Sequence, residues 1–192
     1  MKTVYFIRHG STAGNQEKRY IGRTDEPLCQ QGEAQAAALA GAGFPAFDCI
    51  FSSPYLRCRQ TAAILFPGRA LILAPGLKEC DFGLFEGKTA DELSSSPEYV
   101  AWLDTGCITP LPGGESVMGF KARCCEAFLQ AVAAISENGS AAFVIHGGCI
   151  MAILEQYALP KRTFYEYHIK NGGWVRCALA KETLTIEGGA LC

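Results

Sequence analysis

The chain is expected to fold as an α/β domain, a three-layer α/β/α sandwich around a mostly parallel central sheet. Short β-branched or aromatic runs, Thr3-Val4-Tyr5-Phe6-Ile7, Cys49-Ile50-Phe51 and Ala141-Ala142-Phe143-Val144-Ile145, alternate with longer Ala-rich stretches. That alternation is the βαβ grammar of a parallel sheet with helices on both faces. A length of 192 residues, 49% of them hydrophobic, suits a single domain with a sizeable core.

The elements follow in order. After the first run, which ends at Ile7, residues 32–39 (Gly-Glu-Ala-Gln-Ala-Ala-Ala-Leu) read as helix and 48–51 as strand. Ser52-Ser53-Pro54 is a helix-start signal, so 56–66 is expected to be helical until Pro67, and 70–73 a strand. Residues 82–114, rich in Gly, Pro and Ser with short helical pieces, are expected to form an insertion over the site, the natural place for a lid. A long helix over 116–135 opens at Gly113-Gly114-Glu115-Ser116. Residues 143–145 form a strand, 149–158 a helix stopped by Pro160, and 174–179 with 183–186 a strand pair around Ala180-Lys181-Glu182. No repeat, low-complexity tract or linker interrupts the chain, so one domain spans 1–192.

Composition narrows the function classes. With 17 basic and 19 acidic residues the formal charge is −2, which supplies no whole-chain field for nucleic acid or an anionic membrane. Any basic site must be local. The first apolar run is too short for a signal peptide and is cut by Arg8, and no stretch approaches the roughly 20 apolar residues of a membrane span. A soluble, cytoplasmic protein is expected. Ten scattered cysteines without a secretory signal are expected as reduced thiols. There is no Cys-x-x-Cys, and the three histidines lie far apart, so no metal is expected.

The chemistry gathers where strands end. Arg8-His9-Gly10 closes the first apolar run and His146-Gly147-Gly148 closes the run at 141–145, positions at which open α/β sheets place their sites. Arg57 falls in the first turn of the helix after Ser52-Ser53-Pro54, pointing back to a strand end. Between these segments lies Leu77-Lys78-Glu79-Cys80-Asp81-Phe82-Gly83-Leu84-Phe85-Glu86-Gly87, with two of its acids flanking a glycine turn. Taken together and in order, Arg8-His9-Gly10, the helix start at 53–60, Glu79 and His146-Gly147 resemble the histidine phosphatase superfamily, which includes the cofactor-dependent phosphoglycerate mutases. The resemblance runs from about residue 4 to 175. One departure is that Ser11-Thr12 follows the triplet where the family usually has Glu, a position that takes no part in the chemistry.

The residues suit phosphoryl transfer. A phosphomonoester dianion needs positive charge around its nonbridging oxygens, an in-line nucleophile and an acid beside the leaving oxygen. Arg8, Arg57 and His146 can supply the charge, and arginine's planar fork donates to two phosphate oxygens at any working pH. His9 is the expected nucleophile, a neutral imidazole whose second nitrogen donates to a fixed acceptor. The neighbouring arginines disfavour its protonated form, and Gly10 allows close backbone approach. Glu79 is the expected general acid, preferred over Asp81 and Glu86 by resemblance alone. The resemblance also implies that Asn15, Gly22, Thr24 and Gly147 contact substrate. Arg19, Arg23 and Arg59 read equally well as surface charges, and His168 as a structural or exposed residue.

Glu79 and His146 are 67 residues apart, a shorter connection than the mutases carry, which favours hydrolysis. Gly22-Arg23-Thr24-Asp25-Glu26-Pro27-Leu28, Phe82-Gly83-Leu84-Phe85-Glu86-Gly87, Pro112-Gly113-Gly114-Glu115-Ser116 and Asn171-Gly172-Gly173-Trp174 resemble the α-ribazole-5′-phosphate phosphatases of cobalamin assembly. The expected partner is therefore a small phosphomonoester, with α-ribazole 5′-phosphate as first choice, no cofactor, no nucleic acid and no membrane. Broad phosphatase activity on sugar phosphates, phosphoglycerate or phosphoserine, mutase activity, and a non-catalytic phospho-ligand binding module are the alternatives. Oligomeric state has no signature in the chain.

Overall fold

The computed structural model describes residues 1–191. Among them, seven strands form one sheet: β1 (Lys2–Arg8), β2 (Cys49–Ser52), β3 (Ile72–Leu73), β4 (Ser140–Ile145), β5 (Ala158–Leu159), β6 (Trp174–Ala180) and β7 (Thr183–Gly189). Their spatial order is β3-β2-β4-β1-β6-β7-β5. The half built from β3, β2, β4 and β1 is parallel, while β6 runs antiparallel to both β1 and β7, as the strand pair at the C-terminal end requires.

The apolar runs are buried on both faces because their side chains alternate between two cores. Val4 and Phe6 of β1, Phe51 of β2 and Ala141, Phe143 and Ile145 of β4 join one core. Tyr5, Ile7, Ile50, Ala142 and Val144 join the other. The helices are α1 (Ala13–Gln16), α2 (Gln30–Ala40), α3 (Leu56–Leu65), α4 (Ala90–Leu93), α5 (Pro97–Asp104), α6 (Val117–Ala133) and α7 (Gly147–Tyr157). On the first face, α6 presents Phe120, Cys124 and Phe128 at four-residue spacing, and α7 presents Ile150 and Ile153. On the second, α2 contributes Leu39 and α3 contributes Cys58, Ala62 and Leu65. The expected three layers are present.

Two details differ from the sequence reading. The third strand is only two residues long, an edge element paired solely with β2 and exposed at both Ile72 and Leu73. The chain also forms α1, one turn too short to show a periodicity. It is nucleated by a capping box in which Thr12 accepts from the Asn15 N–H and Asn15 accepts from the Thr12 N–H. The 82–114 segment contributes a 3-10 turn (Gly83–Phe85), α4 and α5, and buries Phe85, Leu93, Tyr99, Trp102 and Leu111 in the first core. No helix among the described residues is long and apolar enough to cross a membrane.

Candidate active site

β1 and β4 are neighbours in parallel, in a register that sets Arg8 opposite Ile145. The next residue of each is a histidine, so the two imidazoles emerge together, 5.2 Å apart between ring centroids. The chain after β1 leads to α2 on one face, whereas the chain after β4 enters α7 on the other. Divergence of two adjacent strands at their carboxyl ends opens the crevice in which doubly wound sheets bind ligands.

His9 is buried, 4% exposed, with its Nδ1 2.7 Å from the Gly10 carbonyl. Nδ1 therefore carries the proton and Nε2 the lone pair. Burial, then Arg57 and Arg8, hold its pKa well below the ordinary histidine value, against an opposing pull from the Gly10 carbonyl. Gly10 leaves no room for a side chain: a Cβ there would stand 2.3 Å from the Gly32 carbonyl oxygen of α2. Thr61 ties the strand end to α3, accepting from the Gly10 N–H at 3.1 Å and donating to the Arg57 carbonyl at 2.7 Å.

His146 is fully buried at the N-cap of α7, with its Nε2 2.8 Å from the Ser53 hydroxyl and the Cys58 sulfur 3.6 Å from the same nitrogen. Burial, then Arg57, His9 and Arg8, keep its pKa well below the ordinary value. Arg8 donates through Nη1 to the Ile169 carbonyl at 2.7 Å, and the same nitrogen is 3.1 Å from His168 Nε2. Its guanidinium lies against the start of α7, where a Cβ on Gly147 would meet Cζ at 3.1 Å. Arg57, 1% exposed, donates through Nη1 to the Thr24 carbonyl at 2.7 Å and through Nη2 to the Gly22 carbonyl at 3.0 Å.

Glu79 faces this group from just beyond a 3-10 turn (Pro75–Leu77), ahead of the 82–114 segment. One carboxyl oxygen accepts from its neighbour's N–H, that of Cys80, and the other from Gly148 in the first turn of α7, each at 3.0 Å. Burial raises its pKa above the ordinary carboxylate value, outweighing those two N–H bonds and the charges of Arg57 and Arg8. The competing acids are otherwise engaged. Asp81 accepts from the Gly83 N–H and pairs with Arg23, and Glu86 accepts from the Gly22 and Thr24 N–H groups. Asn15 accepts on Oδ1 from Asn171 Nδ2, 3.0 Å away, and from the Thr12 N–H, so its amide nitrogen is the side available for an anion.

The structure thus brings Arg8, His9, Arg57, Glu79, His146 and Gly147 together. Gly22 and Thr24 act through their carbonyls on Arg57, with the Thr24 side exposed. His168 is exposed, as the sequence reading allowed, and lies against Arg8, with partial desolvation, then Arg8 and Lys170, lowering its pKa. The sequence reading placed Ser53 in a helix start and Asn171-Gly172 in a motif without assigning them a contact in the site. The Gly172 N–H and Asn171 Nδ2 both donate to the His9 carbonyl, and nothing in the local sequence announces a strand end braced from 162 residues away.

Beside Glu79 and Arg8 opens a cavity of about 520 Å³, walled by aromatic side chains including Tyr20, Phe82, Trp102, Phe120, Phe164 and Tyr165. Leu103 and Ile108, both exposed, stand at its rim. Its other charged pair, Lys121 and Glu155, is joined at 2.6 Å, with the Lys121 ammonium 4.5 Å from the centre of the Phe164 ring.

A doubly wound sheet that ends two parallel strands in buried neutral imidazoles between two arginines, with a protonatable carboxyl opposite, is the architecture of phosphoryl-transfer proteins of the two-histidine type. The chain belongs to the histidine phosphatase superfamily (branch 1), whose pattern matches residues 4–189. It is similar to a probable phosphoglycerate mutase, GpmB, of Enterobacter sp. (strain 638), 33% identical over 165 residues that cover 80% of this chain and 75% of that protein. "Putative phosphoserine phosphatase 2" of Hydrogenobacter thermophilus is 29% identical, covering 97% of this chain and 94% of that one. In fold it is similar to the α-ribazole phosphatase of Shigella flexneri, with a TM-score of 0.85 at 23% identity over 96% of this chain and 94% of that one.

Proposed function

We propose that the protein is a phosphomonoesterase that works through a phosphohistidine on His9, with α-ribazole 5′-phosphate as its first-choice substrate. The observation that carries the reaction is the pairing of His9, pinned at Nδ1, with a half-buried Glu79 held by two N–H groups beside the cavity, its pKa raised by burial. Arg8, Arg57, His146, Asn15 and the Gly147 N–H surround the nonbridging oxygens. Arg57 has three N–H groups beyond the two given to Gly22 and Thr24.

His9 Nε2 attacks phosphorus in line with the ester bond. That P–O bond breaks as the Glu79 carboxyl gives its proton to the leaving oxygen, and the Gly10 carbonyl steadies the positive charge forming on the imidazole. Glu79, now a carboxylate, takes a proton from water whose oxygen attacks the phosphohistidine. The P–N bond breaks, its electrons return to Nε2, and inorganic phosphate leaves. No step calls for a metal.

The aromatic cavity supports the substrate choice. Its walls suit a flat, apolar leaving group, and its one lysine is already paired with Glu155 rather than offered to a second anionic group. The names of the mutase and phosphoserine phosphatase relatives favour a second reading, in which a small charged phosphate ester is the substrate. The described cysteines are free thiols, which fits a reducing, cytoplasmic setting. The test is kcat/KM, with a chelator present, for α-ribazole 5′-phosphate, 3-phosphoglycerate, phosphoserine and p-nitrophenyl phosphate. A preference of several orders of magnitude for the first supports the assignment, and a preference for phosphoserine or phosphoglycerate replaces it. The variant H9A must lose turnover on every ester, and retained turnover sinks the mechanism.

A further inference from the structure

Arg57 is a buried guanidinium whose terminal nitrogens meet carbonyls, those of Gly22 and Thr24, rather than carboxylates. Burying a charge on neutral acceptors requires those acceptors to be held firmly. The same two residues are gripped on their N–H sides by a single oxygen. Glu86 Oε1 accepts from Gly22 at 2.8 Å and from Thr24 at 2.9 Å, while its Oε2 lies 3.4 Å from the Phe82 N–H. The loop is also pressed flat. A Cβ on Gly22 would fall 1.7 Å from the Cys80 carbonyl oxygen, so only glycine lets the loop lie on the segment that carries Glu79. One residue further, Asp25 Oδ1 accepts from the Leu56 N–H at 2.6 Å, capping the helix on which Arg57 sits.

We propose that Glu86 is a positioning residue for Arg57: its carboxylate sets the 22–24 loop, and the loop's carbonyls aim the guanidinium at the phosphate. The inference rests on Arg57 holding phosphate in the reading above. Glu86 belongs to the 82–114 segment, which also supplies Phe82, Trp102 and Leu111 to the cavity wall. The wall of the leaving-group cavity and the phosphate-holding arginine are therefore joined by two hydrogen-bonded links.

The test is a double-mutant cycle on inorganic phosphate affinity, read by titration calorimetry for the wild type, E86A, E86Q, R57A and the double variant, with thermal unfolding of each. E86A is expected to weaken phosphate binding about tenfold, the scale of one charge-assisted bond. E86Q, which keeps an oxygen acceptor for both N–H groups, stays within about threefold. In the R57A background, E86A costs less than about twofold further, because the two residues act as a unit. Wild-type affinity in E86A, a loss in E86Q as large as in E86A, or an undiminished loss in the R57A background overturns the proposal. If E86A does not fold, E86D takes its place in the cycle. Its carboxylate is drawn back by one methylene, and it is expected to show a similar loss that also vanishes with R57A. Turnover of p-nitrophenyl phosphate is followed in parallel. A wild-type protein that binds phosphate but hydrolyses no ester fails the reading of function and leaves this one standing.

Discussion

Replacing Gly148 with alanine should silence the enzyme while leaving the fold intact. The added methyl would stand 2.3 Å from Glu79 Oε1 and 3.1 Å from Phe120 Cζ. Ordinary contact begins near 3.4 Å, so the carboxyl must retreat by about 1 Å and release the Gly148 N–H that now holds it at 3.0 Å. The obstacle is the far end of a flexible side chain, which can move. Alanine also favours the helix by up to about 1 kcal/mol over glycine, and for a chain of this size each kcal/mol moves Tm by roughly 2–4 °C. Tm is therefore expected within a few degrees of wild type or slightly above it. Misplacing a catalytic group by about 1 Å costs on the order of 100-fold, so kcat on an alkyl phosphate should fall by about that factor with KM little changed. On p-nitrophenyl phosphate, whose leaving group departs without a proton, the variant should release a burst of nitrophenolate and then turn over slowly. Its phosphohistidine still awaits a base. A kcat on the alkyl ester within threefold of wild type would refute the role given to Glu79, and a large drop in Tm would trace the loss to damaged structure.

Other outcomes follow from the same geometry. Ser53→Ala removes the hydroxyl 2.8 Å from His146 Nε2 and leaves a buried ring nitrogen without it. The expected destabilisation is about 1–3 kcal/mol, accompanied by weaker phosphate binding, and an unchanged urea midpoint would contradict it. Stability should also depend on pH through His9 and His146, both held neutral by burial. Their folded pKa values lie below the unfolded value, so the unfolded chain binds more protons. The stabilisation is complete above about pH 6.5 and is lost as pH falls below it, by roughly 1.4 kcal/mol per histidine per unit. Glu79, with a raised pKa, opposes this by losing stability as pH rises above about 4.5. Urea unfolding of wild type and His146→Asn at about pH 7.5 and about pH 5.5 isolates the histidine contribution, and an equal pH dependence in the two would refute it.

The strands that carry the chemistry were readable because each is a short apolar run closed by a charged or titratable residue and a glycine. A buried run has to end somewhere, and Arg8-His9-Gly10 and His146-Gly147 mark those ends. Arg57 was readable because Ser52-Ser53-Pro54 fixes a helix start and places the following residues in its first turn. Contacts between distant segments were not. His168 reaches Arg8 from 160 residues away, and nothing in Tyr165-Glu166-Tyr167-His168 encodes that approach. The link from Gly22 and Thr24 to Arg57 was not readable either. Their backbone carbonyls hold Arg57, and carbonyls are chemically alike at every position in a sequence.

The two imidazoles owe their spacing to the hydrogen bonds between β1 and β4, in particular the bond from the His9 N–H to the Ile145 carbonyl at 3.1 Å. His9 and His146 are thus indexed to the sheet ladder, while residues 82–114 supply part of the wall of the adjoining cavity. A transplant of residues 82–114 from another member of the superfamily should redirect which ester is cleaved without shifting the pair that forms the phosphoenzyme. Glu86 sets the condition for success: a graft with no oxygen acceptor in reach of the Gly22 and Thr24 N–H groups would arrive with a new cavity and a misdirected arginine.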